Sequence, residues 1–185
     1  MMRIGIDIDN TMCGTDEIID TKIEEYIKEK KMTRKEFFSD SKYMEDFYAV
    51  KIESIVREDP LKDDFLDVLN KLKVDNEIII VTARTEDFVK SFKHMREATK
   101  EWLEKNNIKY DKLYIGRIDK EQICIEEKAD YFIDDDVKLC ERVLNDSINT
   151  TPIIMLTEYN KTLDISPKII KINNLNELEK IFTNM

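Results

Sequence analysis

Asp7 and Asp9 close the apolar run Ile4-Gly5-Ile6-Asp7-Ile8-Asp9. Such a run reads as a buried strand, and carboxylates two residues apart fall on one side of its pleat, at the edge of a sheet. Close anions there need a cation, and in an open α/β sheet ligands bind just beyond the carboxyl ends of the strands. Two later runs end in the same way. Ile78-Ile79-Ile80-Val81-Thr82 is followed by Arg84, and Tyr131-Phe132-Ile133 leads into Asp134, Asp135 and Asp136. If these strands lie parallel, their tips bring carboxylates, a hydroxyl and nearby cations to one edge. Oxygen donors of this kind suit Mg²⁺, which keeps part of its hydration and bridges to a substrate phosphate.

Periodicity gives the elements that must position these residues. Residues 15–31 carry Ile18, Ile19, Ile23, Tyr26 and Ile27 at helical spacing, Thr33 and Glu36 form a capping-box signature, and a third helix covers about residues 43–57. Asp59-Pro60 reads as N-cap and first residue of a fourth helix ending near Lys73. Strands are expected at 78–82, 112–116, 131–135, 152–156 and 169–172. A helix with Phe88, Phe92, Met95, Thr99 and Trp102 on one face follows the first of these, and Asn174 with Glu177 opens a terminal helix. Strands alternating with helices imply a doubly wound, mostly parallel Rossmann-like sheet of the α/β class. Residues 1–12 and 74–185 form its core on this reading, and residues 13–73 a helical cap inserted after the first strand.

The chain has 185 residues, 42% of them apolar and 38% charged, with three glycines and three prolines, as expected of a helix-rich globular protein. Its net charge of −10 opposes binding to a long nucleic acid or an anionic membrane. A small phosphorylated ligand remains compatible, because one metal ion and one lysine invert the potential locally. Cys13, Cys124 and Cys140 are odd in number and lack metal-type spacing, which argues against a disulfide framework and for a cytoplasmic location. The sequence begins directly in strand pattern, without a leader, and contains no membrane-length apolar stretch. It is compatible with a homodimer.

Taken in order, DIDNT at 7–11, VTAR at 81–84, the Asp119-Lys120 pair and FIDDD at 132–136 resemble the haloacid dehalogenase-like phosphohydrolases. The spacing is similar to that of the 5′(3′)-deoxyribonucleotidase-type 5′-nucleotidases, which carry a helical cap after the first strand. The resemblance implies an aspartyl-phosphate mechanism with Asp7 as nucleophile and Asp9 as general acid and base. It also implies Mg²⁺ held by Asp7, the Asp9 backbone carbonyl, Asp135 and Asp134, with Thr82 and Lys120 binding phosphate; Arg84, just beyond the 78–82 strand, reads either as a further phosphate contact or as an exposed charge. Lys112 and Lys128 also lie between the relevant strands, but Lys120 follows the 112–116 strand closely and precedes the acidic one. Asn10 stands where many relatives have Gly, a position at which Asn tolerates a left-handed turn. Asp136 reads as the N-cap of the next helix.

The implied activity is a Mg²⁺-dependent phosphomonoesterase acting on nucleoside monophosphates. A phosphatase for a sugar phosphate is the first alternative, and a non-catalytic phosphate-binding or phospho-accepting module the second. A phospho-accepting receiver would end a middle strand in its acceptor Asp, and residues 15–73 contain no such strand. The aromatic residues Phe37, Phe38, Tyr43, Phe47 and Tyr48 have the spacing of a helical core, with base stacking as the sharper reading. Trp102 and Cys13 read as packing residues and His94 as a surface residue.

Overall fold

In a computed structural model, which describes residues 1–63, 65–86 and 93–183, the apolar runs become six strands. They are β1 (Arg3–Ile6), β2 (Glu77–Thr82), β3 (Lys112–Ile115), β4 (Tyr131–Asp134), β5 (Thr151–Met155) and β6 (Ile170–Ile172). All neighbours are parallel, and the order across the sheet is β3-β2-β1-β4-β5-β6. The order reverses between β1 and β4, which is where an open α/β sheet forms its ligand crevice.

Side-chain parity explains why the runs are apolar throughout: a parallel sheet is buried on both faces. Ile4, Ile6, Ile78, Ile80, Ile133 and Ile153 face one cluster, completed by Leu69, Leu72, Trp102, Leu175 and Leu178. Ile79, Val81 and Phe132 face the other, with Ile123, Leu139 and Val143. Gly5 is required on that second face, because a Cβ there would lie 2.6 Å from the Phe132 ring.

The helices are α1 (Thr15–Lys30), α2 (Arg34–Phe37), α3 (Ser41–Glu58), α4 (Phe65–Asp75), α5 (Met95–Lys105), α6 (Lys120–Glu127), α7 (Val137–Asp146) and α8 (Asn176–Thr183). The Thr33–Glu36 capping box forms, and the Asp136 carboxylate caps α7 by accepting from the backbone N–H groups of Lys138 and Leu139. Within 13–73 the packing divides. Helices α1, α2 and α3 share a cluster in which Tyr26, Phe37 and Phe47 meet edge to face at centroid distances of 5.6 to 5.8 Å. Burying each of these rings contributes about 1.5–3 kcal/mol. Helix α4 instead lays Phe65, Val68, Leu69 and Leu72 on the sheet.

One helix start differs from expectation. Asp59 and Pro60 do not open α4, which begins at Phe65; Asp59 ends α3, and its side chain is turned inward. The local capping preference, worth about 1 kcal/mol, loses to a buried ion pair described below. The α6 helix carries no strong periodic signal and was not anticipated. Phe88 and Phe92 lie outside the described residues. Among the described residues, no helix is long and apolar enough to cross a membrane.

Candidate active site

The tips of β1, β2 and β4 converge because these strands are neighbours. The Asp7 N–H donates to the Ile133 carbonyl at 2.9 Å, which carries the β1–β4 ladder one residue past β1. Lys120, in the first turn of α6, bridges the two tips: its Nζ donates to Asp7 Oδ1 at 2.6 Å and to Asp134 Oδ2 at 2.8 Å. All three side chains are buried. Burial opposes the charge on Lys120, but the Asp7 and Asp134 carboxylates outweigh it and hold the ammonium protonated.

Oxygens of Asp7, Asp134 and Asp135 lie within 4.8 Å of one another. Three carboxylates around one ammonium leave an excess of negative charge. Burial, reinforced by Asp134, Asp9 and Asp135, pushes the Asp7 carboxyl well above the usual range against the pull of Lys120. Burial and Asp134 likewise raise Asp135 to about 7. A hard, oxygen-only donor set with uncompensated charge is what a divalent cation such as Mg²⁺ requires, so these residues fit one.

The backbone around the tips is held by side chains. Asn10 adopts a left-handed φ of 56°, and its amide bonds Asp16 in α1. Asn160 is buried, and its Nδ2 donates to the carbonyls of Asp135 (2.8 Å) and Met155 (2.9 Å). Lys62 donates to the Asn10 carbonyl. Thr82 is fully buried at the end of β2, where its Oγ1 accepts from the Arg84 N–H at 3.2 Å.

Asp9 belongs to a second group. Arg84 approaches it side-on, with Nη2 2.8 Å from Oδ1 and Nε 3.1 and 3.2 Å from the two oxygens. Nη2 also donates to Asp59 Oδ2 at 2.7 Å, and Trp102 lies beneath the guanidinium, its centroid 5.3 Å from Cζ. Burial raises the Asp9 carboxyl, but Arg84 more than offsets it and holds it below its ordinary value. Asp59 is raised by burial, with Arg84 opposing. The Cys13 thiol donates to Asp59 at 3.0 Å and is pushed far up by burial and by that carboxylate.

Beside Asp9 and Arg84 a cavity of about 190 Å³ opens between α1, α3 and the β2 tip, walled by Ile19, Tyr48, Ile52 and Val56. A wider cleft of about 490 Å³ is lined by Asn10, Asp16, Lys62 and Tyr159.

No protein-family model matches the chain. A curated protein of Bacillus subtilis (strain 168), named "Putative nucleotidase YqfW", is 25% identical over 189 residues, covering 94% of this chain and 90% of its own length. A haloacid dehalogenase-like family hydrolase from Streptococcus pneumoniae superposes with a TM-score of 0.70 at 12% identity, over 98% of both chains. The HAD-hydrolase YfnB of Bacillus subtilis, solved bound to magnesium, gives 0.70 at 11% identity, also over 98% of both. The D,D-heptose 1,7-bisphosphate phosphatase of B. bronchiseptica, solved with magnesium and phosphate, gives 0.64 at 10% identity over 100% of both. The chain has the haloacid dehalogenase-like fold.

Within this haloacid dehalogenase-like fold the residues singled out in the sequence divide into two sets. Asp7, Lys120, Asp134 and Asp135 form one cluster. Asp9 and Arg84 form the other, in which the Arg84 guanidinium bonds Asp9 and Asp59. Of the aromatic residues considered for base stacking, Phe37 and Phe47 are buried in the helical core, Phe38 is exposed and Tyr48 lines the smaller cavity. Sequence reasoning missed Asp59, Asn160, Lys62 and the part played by Thr15. Asp59 was hidden by the stronger local reading of Asp-Pro as a helix start, and Asn160 lies 25 residues from the carbonyl it holds.

Proposed function

We propose that the protein is a cytoplasmic, Mg²⁺-dependent phosphomonoesterase working through an aspartyl-phosphate on Asp7, with nucleoside monophosphates as substrates. The bridge from Lys120 to Asp7 and Asp134 carries this reading, because it joins the candidate nucleophile, a phosphate-binding cation and a metal ligand in one buried cluster. Asp7 attacks phosphorus, forming a Cγ-carboxyl O–P bond as the ester P–O bond breaks, and Asp9 delivers a proton to the departing alkoxide. Asp9 then takes a proton from the water that attacks the acyl phosphate, which releases inorganic phosphate and restores Asp7. Lys120 and Thr82 offset charge on the non-transferred oxygens. Asp7, Asp134, Asp135 and the Asp9 carbonyl would hold Mg²⁺, which supplies charge neutralisation for nucleophile and phosphate alike.

Helices α1 to α3 act as the cap over this edge. The cavity beside Asp9 receives the leaving group, and its apolar wall with Tyr48 suits a planar ring. The name of the Bacillus subtilis relative supports a nucleotide as substrate. A panel of dUMP, dTMP, AMP and phosphosugars, read by phosphate release with and without Mg²⁺, tests the reading. Preference for a phosphosugar would reject the nucleotide assignment, and turnover retained in Asp7→Asn would reject the mechanism.

A further inference from the structure

Asp59 has no role in the reaction above, yet it is a fully buried carboxylate in contact with the side chain that holds Asp9. Its Oδ2 accepts from Arg84 Nη2 and Thr15 Oγ1, both at 2.7 Å, and from Cys13 Sγ at 3.0 Å. Its Oδ1 is buried and has no hydrogen-bond partner among the described residues; the same holds for Arg84 Nη1. These two unpartnered atoms belong to the two members of one ion pair. An end-on pair of guanidinium and carboxylate makes two parallel bonds, one from each Nη. The first of these, Nη2 to Oδ2, is already formed. The second would join Nη1 to Oδ1, and it is unmade while the Nε edge of Arg84 is committed to Asp9.

That commitment conflicts with the chemistry proposed for Asp9. Its Oδ1 accepts from Nε and Nη2 of Arg84, with Thr15 Oγ1 3.1 Å away, and its Oδ2 shares Nε. About a third of the Asp9 side chain is exposed and Oδ2 carries only the shared Nε, but a leaving-group oxygen reaches Oδ1 only by displacing Arg84. We propose that Asp59 is a positioning residue that draws Arg84 into the end-on pair and thereby frees Asp9 for the leaving group. The proposal rests on the phosphomonoesterase reading.

The surroundings suit such a handover. Trp102 supports Arg84 through its ring and Asp59 through its indole N–H, which donates to the Asp59 carbonyl at 2.8 Å. Thr15 has one hydroxyl proton and lies within reach of both carboxylates, 3.1 Å from Asp9 and 2.7 Å from Asp59, so it can turn to Asp9 as Arg84 leaves. Asp59 ends α3 and Thr15 begins α1, next to the bridge between Cys13 and Leu61. The chain enters and leaves the three helices here, so Asp59 and Thr15 stand at the two junctions between those helices and the sheet.

Two experiments on the full chain test the proposal. In a crystal structure of Asp9→Asn, Arg84 is expected end-on to Asp59, with Nη1 in hydrogen-bond distance of Oδ1; a guanidinium still side-on to residue 9 would overturn the handover. With Mg²⁺ present, Asp59→Asn is expected to lower kcat/KM for dTMP, whose alkoxide needs a proton, at least tenfold more than for p-nitrophenyl phosphate, whose leaving group does not. Equal loss on both esters, or none, would overturn the positioning role. If Asp59→Asn does not fold, the double variant Asp59→Asn/Arg84→Met removes both charges; a dTMP-to-aryl ratio within about threefold of wild type supports the proposal, and a tenfold collapse refutes it. Should the wild type hydrolyse neither ester, the phosphatase reading fails, and the Asp9→Asn structure still decides where Arg84 goes.

Discussion

Lys120 and Asp7, 113 residues apart, are joined by a buried hydrogen bond of 2.6 Å, and the same ammonium reaches Asp134 at 2.8 Å. Removing one member of a buried ion pair is far more costly than the pair is stabilising, because the remaining charge is left desolvated. Lys120→Met is therefore expected to lower stability by about 3–5 kcal/mol without divalent metal, with much of the loss recovered when Mg²⁺ is added. Turnover should fall by about 10²–10³ if Lys120 binds phosphate as proposed. Denaturant melts with and without Mg²⁺, paired with phosphate release, would check this; a variant as stable as wild type without metal would contradict it.

Asp7→Asn acts in the opposite direction on stability. It deletes a carboxyl whose ionisation is opposed by burial and by three neighbouring carboxylates, with Lys120 in favour. The metal-free variant should melt higher than wild type while losing turnover, and its stabilisation by Mg²⁺ should shrink. Thermal melts over a Mg²⁺ series measure all three, and a lower metal-free Tm would show that the Lys120 contact outweighs the repulsion.

The same excess charge sets a pH dependence. A carboxyl whose folded pKa lies above its unfolded value binds protons more tightly when folded, so it stabilises below the unfolded pKa and loses that contribution as pH rises through the folded one. Asp135 is raised to about 7, and Asp7 is raised as well. Metal-free protein should therefore gain Tm on acidification from pH 8 toward 5. With saturating Mg²⁺ the trend should reverse, because protons then compete with the metal for the same oxygens. A metal-free Tm that falls over this range would refute the account.

The sequence made the sheet legible for a physical reason. Each of the principal strands is buried on both faces, so its apolar run is uninterrupted and its polar tip stands out, as in Ile78–Thr82 and Tyr131–Asp134. That reasoning placed Asp7, Asp134 and Asp135 at one edge, while the resemblance to the haloacid dehalogenase-like phosphohydrolases singled out Lys120 and helical spacing with the Thr33–Glu36 capping box marked α1 to α3. It did not reach the partition of Arg84 between Asp9 and Asp59, because pairing between residues 25 and 75 positions apart leaves no local pattern. At Asp59 the local pattern was actively misleading: Asp before Pro is a good helix start, and only the buried guanidinium makes it a helix end. Helix α6 escaped notice because its apolar residues, Ile123, Cys124 and Ile125, stand in one consecutive block rather than at helical spacing.

Asn160 offers a test of how the turn that carries Asp135, a proposed metal ligand, is kept in place. Its amide nitrogen links the carbonyls of Asp135 and Met155, and its Oδ1 accepts from the Thr157 N–H at 2.8 Å, so one side chain ties the loop after β5 to the turn after β4. Truncation to alanine leaves these buried groups without that partner, at about 1–3 kcal/mol for each one left unsatisfied. Partners that orient metal ligands commonly matter by about 10–100-fold in affinity. Asn160→Ala is thus expected to raise the Mg²⁺ concentration for half-maximal turnover by about tenfold or more, with a smaller change in kcat at saturating metal. Isothermal titration with Mg²⁺ alone separates binding from catalysis. An unchanged affinity in a folded variant would mean that the Asp135 turn holds its geometry without Asn160, through the bond from the Asp136 N–H to Asp134 Oδ1 at 2.9 Å and the cap of α7.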